Sequence, residues 1–82
     1  MSVKYDYASK ITAFVSEQIE DKAIQEMIRP ETLFEDLGLD WLACVELVMQ
    51  VEEEFGISIS DDDADTFVNI QAIANYLADR IS

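Results

Sequence analysis

The most constraining feature of the sequence is a run of fifteen residues, Trp41 to Phe55, that contains neither glycine nor proline. Asp40 precedes the run, and an aspartate side chain can accept a hydrogen bond from a free amide in the first turn of a helix. Gly56 follows the run, at the place where a residue in the left-handed conformation commonly ends a helix. The sequence therefore predicts a helix from Trp41 to Phe55.

Two apolar stripes lie on this helix, because successive residues are about 100° apart around a helix axis. The stripe that we expect to face the core consists of Cys44, Leu47, Val48, Val51 and Phe55. The stripe on the nearly opposite face consists of Leu42, Val45 and Met49, with carboxylates beside it at Glu46, Glu52 and Glu53. A small protein cannot bury both faces, so we expect the second stripe to be exposed. An apolar strip edged with carboxylates suits a partner that brings apolar contacts and a rim of Lys or Arg.

Two further helices are predicted near the ends of the chain. Apolar residues recur every three or four positions between Ser2 and Ile19, which predicts an amphipathic helix with Ser2 as its cap. Asn69 is suited to cap a last helix from Ile70 to about Ile81. The residues that we expect this last helix to bury are Ile70, Ile73, Ala74, Leu77 and Ile81.

The connections between these helices also have predicted structures. The segment from Ala23 to Leu39 is too apolar for a floppy loop, and Pro30 interrupts any helix within it. We expect an ordered loop with a short helical turn near Ile24 to Ile28. Gly56 to Ser60 alternates apolar and polar residues, but without a partner strand it is better interpreted as an extended connector. Ser60 then caps a short helix beginning at Asp61, since acidic residues favour a first turn.

These elements predict an all-α fold, a small four-helix bundle made of three principal helices and one short helix. The 82 residues suffice for one small domain, so we expect a single domain over residues 1–82. The chain has one proline and two glycines, which is too few breakers for a turn-rich β fold.

The chain is strongly acidic, with 18 acidic and 5 basic residues and a formal net charge of −13 at pH 7. Such a charge repels nucleic acid and anionic membranes, so we expect neither as a partner. No apolar run is long enough to span a bilayer, nothing resembles a signal peptide, and the single cysteine cannot form an internal disulfide. We therefore expect a cytoplasmic protein that is monomeric on its own.

The residue pattern does not support catalysis. Histidine is absent, so the usual general base and the Cys-His and Ser-His pairs are absent as well. Cys44 is flanked by acids and not by cations, which disfavours its thiolate. The aspartates after Ser60 do not follow the EF-hand spacing, because its glycine position would be Thr66 and its final glutamate position Ala72. We predict neither an enzyme nor a specific metal site.

Three segments carry a resemblance to a known family: Asp36-Leu37-Gly38-Leu39-Asp40-Trp41-Leu42, Val45-Glu46-Leu47-Val48 and Glu52-Glu53-Glu54-Phe55-Gly56-Ile57. The sequence resembles the acyl carrier proteins of fatty-acid and polyketide synthesis over nearly its whole length. The family motif is Asp-Ser-Leu, and its serine hydroxyl carries 4′-phosphopantetheine as a phosphodiester. The matching position here is Trp41, whose indole has no hydroxyl. The resemblance therefore implies that this chain is not loaded, and that 4′-phosphopantetheine is expected only if position 41 is serine.

The resemblance further implies that the chain docks to enzymes. The expected partners are carrier-dependent enzymes with basic patches, namely acyl synthases and ketosynthases, acyltransferases and phosphopantetheinyl transferase. The residues expected to contact them are Asp40, Trp41, Leu42, Val45, Glu46, Met49, Glu52 and Glu53. One hypothesis places the Trp41 indole over the groove between the central helix and the short helix at Asp61. The alternative is that the indole projects into solvent.

Three accounts of function are open at this point. The first is an acyl carrier protein whose serine has been replaced while its docking helix is intact. The second is a native non-carrier relative, a regulatory or scaffolding module in which Trp41 is itself a contact residue, since Trp is enriched among binding hot spots. The third is an acidic helical adaptor unrelated to carriers, and the length of the match makes it the weakest.

Overall fold

The structure is a computed structural model and describes residues 6–81. This part of the chain contains five α-helices. In chain order they are α1 (Tyr7–Glu17), α2 (Lys22–Gln25), α3 (Trp41–Phe55), α4 (Asp61–Ala64) and α5 (Ile70–Ile81), and a 3₁₀ turn at Phe34–Leu37 lies between α2 and α3. The predicted all-α fold is confirmed, since α1, α3 and α5 are the three principal helices and α4 is the short one. The 3₁₀ turn was not predicted.

Helix α1 is shorter than the sequence predicts. The Asp6 carboxylate accepts hydrogen bonds from the backbone N–H of Ser9 at 3.0 Å and from its hydroxyl at 2.6 Å, so the helix begins at Tyr7. These bonds from Ser9 to the ionised carboxylate lower the pKa of Asp6. The expected start at Ser2 is therefore wrong, and the cap predicted there lies outside the described residues.

Helix α2 is the helical turn expected in the long connection, but it begins and ends earlier than Ile24 to Ile28. The Asp21 side chain caps it by accepting a hydrogen bond from the backbone N–H of Ala23 at 2.8 Å. Gln25 then anchors α2 to the end of α1, because its side-chain amide donates to the carbonyl of Ile19 at 2.6 Å. Because Asp21 is the cap, α2 begins at Lys22, one residue before the predicted start of the connection at Ala23.

The core lies where α1 packs against both α3 and α5. Its fully buried side chains are Ile11, Val15, Leu47, Val51, Ile70, Ile73 and Leu77. The expected buried stripe of α5 is confirmed except at Ile81, which is exposed because the helix ends there. Asn69 caps α5 as predicted, since its side-chain oxygen accepts a hydrogen bond from the backbone N–H of Ala72 at 2.8 Å.

The long connection before α3 is ordered, as predicted, because its backbone pairs with the segment before α5. The backbone N–H of Phe34 donates to the carbonyl of Val68 at 2.8 Å, and Leu33 and Asn69 form an isolated antiparallel bridge. The apolar side chains that this connection buries are Ile28, Phe34 and Leu37. No helix within residues 6–81 combines the length and apolar character required to cross a bilayer.

Candidate functional site

Helix α3 has the bounds that the sequence predicts, because both of its ends are set by local interactions. Asp40 Oδ1 accepts a hydrogen bond from the backbone N–H of Ala43 at 2.8 Å, which satisfies one of the free amides of the first turn. Gly56 ends the helix with a φ of 65°, in the left-handed region that favours glycine. Trp41 is therefore held as the first residue of a capped helix.

The side chains of α3 are buried on the face toward the core and exposed on the opposite face. Leu47 and Val51 are buried in the core, as predicted, whereas Cys44, Val48 and Phe55 are only half-buried against it. On the predicted second stripe, Leu42 and Met49 are 56% and 55% exposed. Val45 is half-buried, so the expectation that this whole stripe is exposed is wrong at that residue. The reason is that Val45 faces a cleft toward α4.

This cleft has a volume of about 240 Å³ and lies between α3, the connector after it, and α4. The residues of α3 that line it are Trp41, Cys44, Val45, Val48, Met49 and Glu52, which share one face because they are three or four positions apart. The opposite side is lined by Ile59, Asp61, Ala64 and Asp65. The half-buried and buried lining residues are mainly apolar, and the exposed ones include Asp61 and Asp65. The cleft therefore combines an apolar floor with an acidic rim.

Trp41 stands at the mouth of this cleft. Its side chain is 79% exposed, and it also lines the cleft together with residues of α4. Each of the two predicted positions of the indole, over the groove between α3 and α4 or projecting into solvent, therefore describes part of what is observed. The indole lies beside the groove between α3 and α4, and most of its surface is in solvent.

The other residues predicted to dock partners differ in what they contact. Glu46 and Glu53 are exposed on α3, while the exposed Asp40 caps the helix. Glu52 is half-buried, and its carboxylate accepts a hydrogen bond from the backbone N–H of Ile59 at 2.8 Å. Glu52 thus holds the connector against α3, a structural role that its position in the sequence did not indicate.

Residues on α5 hold the far wall of the cleft. The Tyr76 hydroxyl donates a hydrogen bond to Asp63 of α4 at 3.0 Å, and the Arg80 guanidinium donates to the Tyr76 hydroxyl. The Tyr76 ring also meets Phe67 edge-on, with ring centroids 5.1 Å apart. Sequence reasoning missed this network. The available signal was the spacing of four residues between Tyr76 and Arg80, which places them on one face of a helix.

Cys44 lies in the cleft wall, one turn after Trp41. Burial, followed by the negative charge of Asp40, raises the pKa of its thiol. The prediction that the thiolate is disfavoured is confirmed. Within residues 6–81, no group of three or more His, Cys, Asp or Glu side chains is arranged to hold a metal ion.

Comparisons with known proteins found a family and relatives that match most of this chain. Residues 9–77 match the family described as "Phosphopantetheine attachment site". The acyl carrier protein of Nitratidesulfovibrio vulgaris (strain Miyazaki F) is 42% identical over 72 residues, which are 87% of this chain and 92% of that protein. The acyl carrier protein of Helicobacter pylori (strain 26695) is 40% identical over 71 residues, 85% of this chain and 88% of that protein. The acyl carrier protein of Desulforapulum autotrophicum is 36% identical over 69 residues, 84% of this chain and 90% of that protein.

Proposed function

Because the chain belongs to the phosphopantetheine attachment-site family and is similar over most of its length to acyl carrier proteins, we propose that it docks to carrier-dependent enzymes without being loaded at position 41. Acyl carrier proteins are carriers and not catalysts, and the chain is accordingly not an enzyme. The single observation that carries the proposal is Trp41 at the head of an otherwise intact α3.

The residues at the head of α3 do not fit the prosthetic group of the family. Attachment of 4′-phosphopantetheine as a phosphodiester requires a hydroxyl, and the first turn consists of Trp41, Leu42, Ala43 and Cys44. None of these side chains has a hydroxyl group. The Cys44 thiol is half-buried and its pKa is raised, so it does not replace the missing oxygen.

The exposed part of α3 supports docking. Leu42 and Met49 present apolar surface, and the exposed carboxylates of Glu46 and Glu53 lie on the same side of the helix. Together with the net charge of −13, this arrangement suits an enzyme that surrounds an apolar contact with Lys and Arg side chains. The proposed partners are cytoplasmic ketosynthases, acyltransferases and phosphopantetheinyl transferase.

A second candidate function is a native regulatory or scaffolding module that never carried an acyl group. The observation that favours it is the exposure of Trp41, which is 79%. An exposed tryptophan costs solubility on a free surface and contributes strongly when a partner covers it. In this candidate Trp41 is a contact residue.

Intact mass spectrometry tests the proposal. The chain, Trp41→Ser and Trp41→Ala are each incubated with coenzyme A and a broad-specificity phosphopantetheinyl transferase. We expect only Trp41→Ser to gain the mass of one phosphopantetheine group, because the transferase then meets a hydroxyl within a preserved recognition surface. Loading of the unchanged chain would contradict the proposal. If Trp41→Ser also remains unloaded while its circular dichroism is unchanged, the regulatory candidate is favoured.

A further inference from the structure

An exposed aromatic ring and two exposed carboxylates meet at the cleft between α3 and α4. Trp41 forms one side of its mouth, and Asp61 and Asp65 line the opposite side. Within residues 6–81, neither of these aspartate side chains takes part in a hydrogen bond or an ion pair, unlike Asp63, which accepts from Tyr76. The cleft therefore concentrates negative charge beside an aromatic ring.

Among residues 6–81, no Lys or Arg side chain pairs with the carboxylates of the cleft. No Lys or Arg is among the residues that line the cleft. Lys10 pairs with Glu54 at 3.3 Å, and Arg80 donates to Tyr76. Arg29 donates to the backbone carbonyl of Ile28 at 2.9 Å. Within the part of the chain that the structure describes, no residue therefore supplies a cation to the cleft, and we look to another molecule for one.

The interior of the cleft suits a long side chain with an apolar stem. Val48, Ile59 and Ala64 provide apolar contacts below the carboxylates. At about 240 Å³ the cleft is smaller than the roughly 300–1,000 Å³ of a typical small-molecule site. Arginine buries its methylene stem along apolar surface while its head group remains at the polar rim.

We propose that this cleft receives the side chain of an arginine presented by the docked partner, with its guanidinium between the Trp41 indole and the carboxylates of Asp61 and Asp65. This inference rests on the proposed docking function and names the chemistry that the partner brings. Arginine is favoured over lysine because its planar head group stacks on an indole and hydrogen-bonds two carboxylate oxygens at once. The replacement of serine by tryptophan thus supplies a recognition element in place of an attachment point.

Titrations with three small probes test this assignment by ¹⁵N–¹H correlation spectra and by the fluorescence of Trp41, the only tryptophan in the chain. The probes are the amides of N-acetyl-arginine, N-acetyl-lysine and N-acetyl-citrulline, the last being a neutral isostere of the first. We expect the arginine probe to shift the signals of the cleft residues and the Trp41 indole N–H. We expect the citrulline probe to bind at least about tenfold more weakly, since it lacks the charge for cation–π and carboxylate contacts.

Equal binding of the arginine and citrulline probes would overturn the inference, as would equal binding of arginine and lysine. Shifts confined to residues outside the cleft would overturn it as well. These outcomes separate a guanidinium site from a general attraction of cations to an acidic surface.

Matched variants locate the site. Trp41→Leu and Asp65→Asn should each weaken the binding of the arginine probe several-fold, because the first removes the aromatic ring and the second removes one negative charge from the cleft. Asp79→Asn removes one negative charge from an exposed position on α5 and should leave binding unchanged. Equal effects of Asp65→Asn and Asp79→Asn would assign the binding to net charge alone and overturn the inference.

A ketosynthase that accepts acyl carrier proteins distinguishes failure of this inference from failure of the proposed function. If the ketosynthase binds the chain but the arginine probe leaves the cleft signals unchanged, the proposed function stands and the arginine site is wrong. If the arginine probe occupies the cleft but the ketosynthase does not bind, the proposed function is wrong and the site stands. If both bind, Trp41→Leu should weaken ketosynthase binding about tenfold, as expected for a hot-spot tryptophan.

Discussion

The Glu52 carboxylate accepts a hydrogen bond from the backbone N–H of Ile59 at 2.8 Å. Glu52 lies near the end of α3, and Ile59 is the buried residue of the connector that leads to α4. Both residues line the cleft beside Trp41. This single bond therefore joins the helix that carries the proposed docking surface to the segment that forms the floor of the cleft.

Replacement of Glu52 by alanine should destabilise the protein. The change removes a charged acceptor and leaves the part-buried amide of Ile59 without its partner, at a cost of about 1–3 kcal/mol in the free energy of unfolding. Urea denaturation followed by circular dichroism measures this difference. The matched control is Glu53→Ala on the exposed side of the same helix, which should change stability by no more than about 0.5 kcal/mol. Similar losses for both variants would refute the structural role of Glu52.

Two leucines of α3 should respond differently to the same truncation. Leu47 is 1% exposed and packs in the core, so Leu47→Ala should cost about 2–5 kcal/mol. Leu42 is 56% exposed, and Leu42→Ala should cost less than about 1 kcal/mol. Thermal or urea unfolding of the two variants measures the contrast. A reversed order would mean that the other face of α3 is buried.

Association with a ketosynthase should depend on the exposed face of α3. Glu46→Lys reverses a charge on the face that we propose for a basic partner and should weaken binding by about tenfold or more at low salt, with a smaller effect at high salt. Met49→Ala removes apolar contact and should weaken binding at any salt concentration. Isothermal titration calorimetry measures both. The matched control is Asp79→Lys on α5, which makes the same change in net charge, and an equal loss there would argue against the proposed face.

The Cys44 thiol should react slowly with iodoacetamide. Burial and the charge of Asp40 raise its pKa above the ordinary value of 9.0, so less of the reactive thiolate is present at pH 8.5 than in the urea-unfolded chain. Asp40→Asn keeps a capping side chain but removes the charge, and it should speed the reaction. Mass spectrometry over time measures the rate. An equal rate in the folded and unfolded chains would contradict the shift.

The same pKa shift has a consequence for stability at alkaline pH. The unfolded chain releases the Cys44 proton at a lower pH than the folded chain, so between the two pKa values the folded state binds more protons. The contribution of Cys44 to stability therefore falls as the pH rises from about 9 through the raised pKa of the folded state. Cys44→Ala should flatten this part of the profile of unfolding free energy against pH. A profile that the substitution leaves unchanged would show that Cys44 is not its source.

The parts of this protein that could be predicted from the sequence are those governed by neighbouring residues. The bounds of α3 follow from Asp40 and Gly56, and the cap of α5 follows from Asn69, because caps act within three residues of the position that they occupy. The sequence predicts the start of α1 wrongly because the apolar pattern extends to residues before Asp6, whereas the helix begins just after Asp6, whose carboxylate accepts hydrogen bonds from Ser9. Periodicity indicates a helix without indicating where it begins.

The family resemblance, and the expectation that position 41 bears no attachment hydroxyl, also came from residues adjacent in the sequence. The cleft did not. Its walls depend on Glu52 bonding to Ile59 seven residues away and on Tyr76 bonding to Asp63 thirteen residues away. Helical spacing divides α3 into faces, but the packing of α1 and the position of α4 decide which sides of α3 are covered, because contacts between distant segments leave no period in the sequence. The tertiary structure alone therefore brings Trp41, Asp61 and Asp65 together at the cleft.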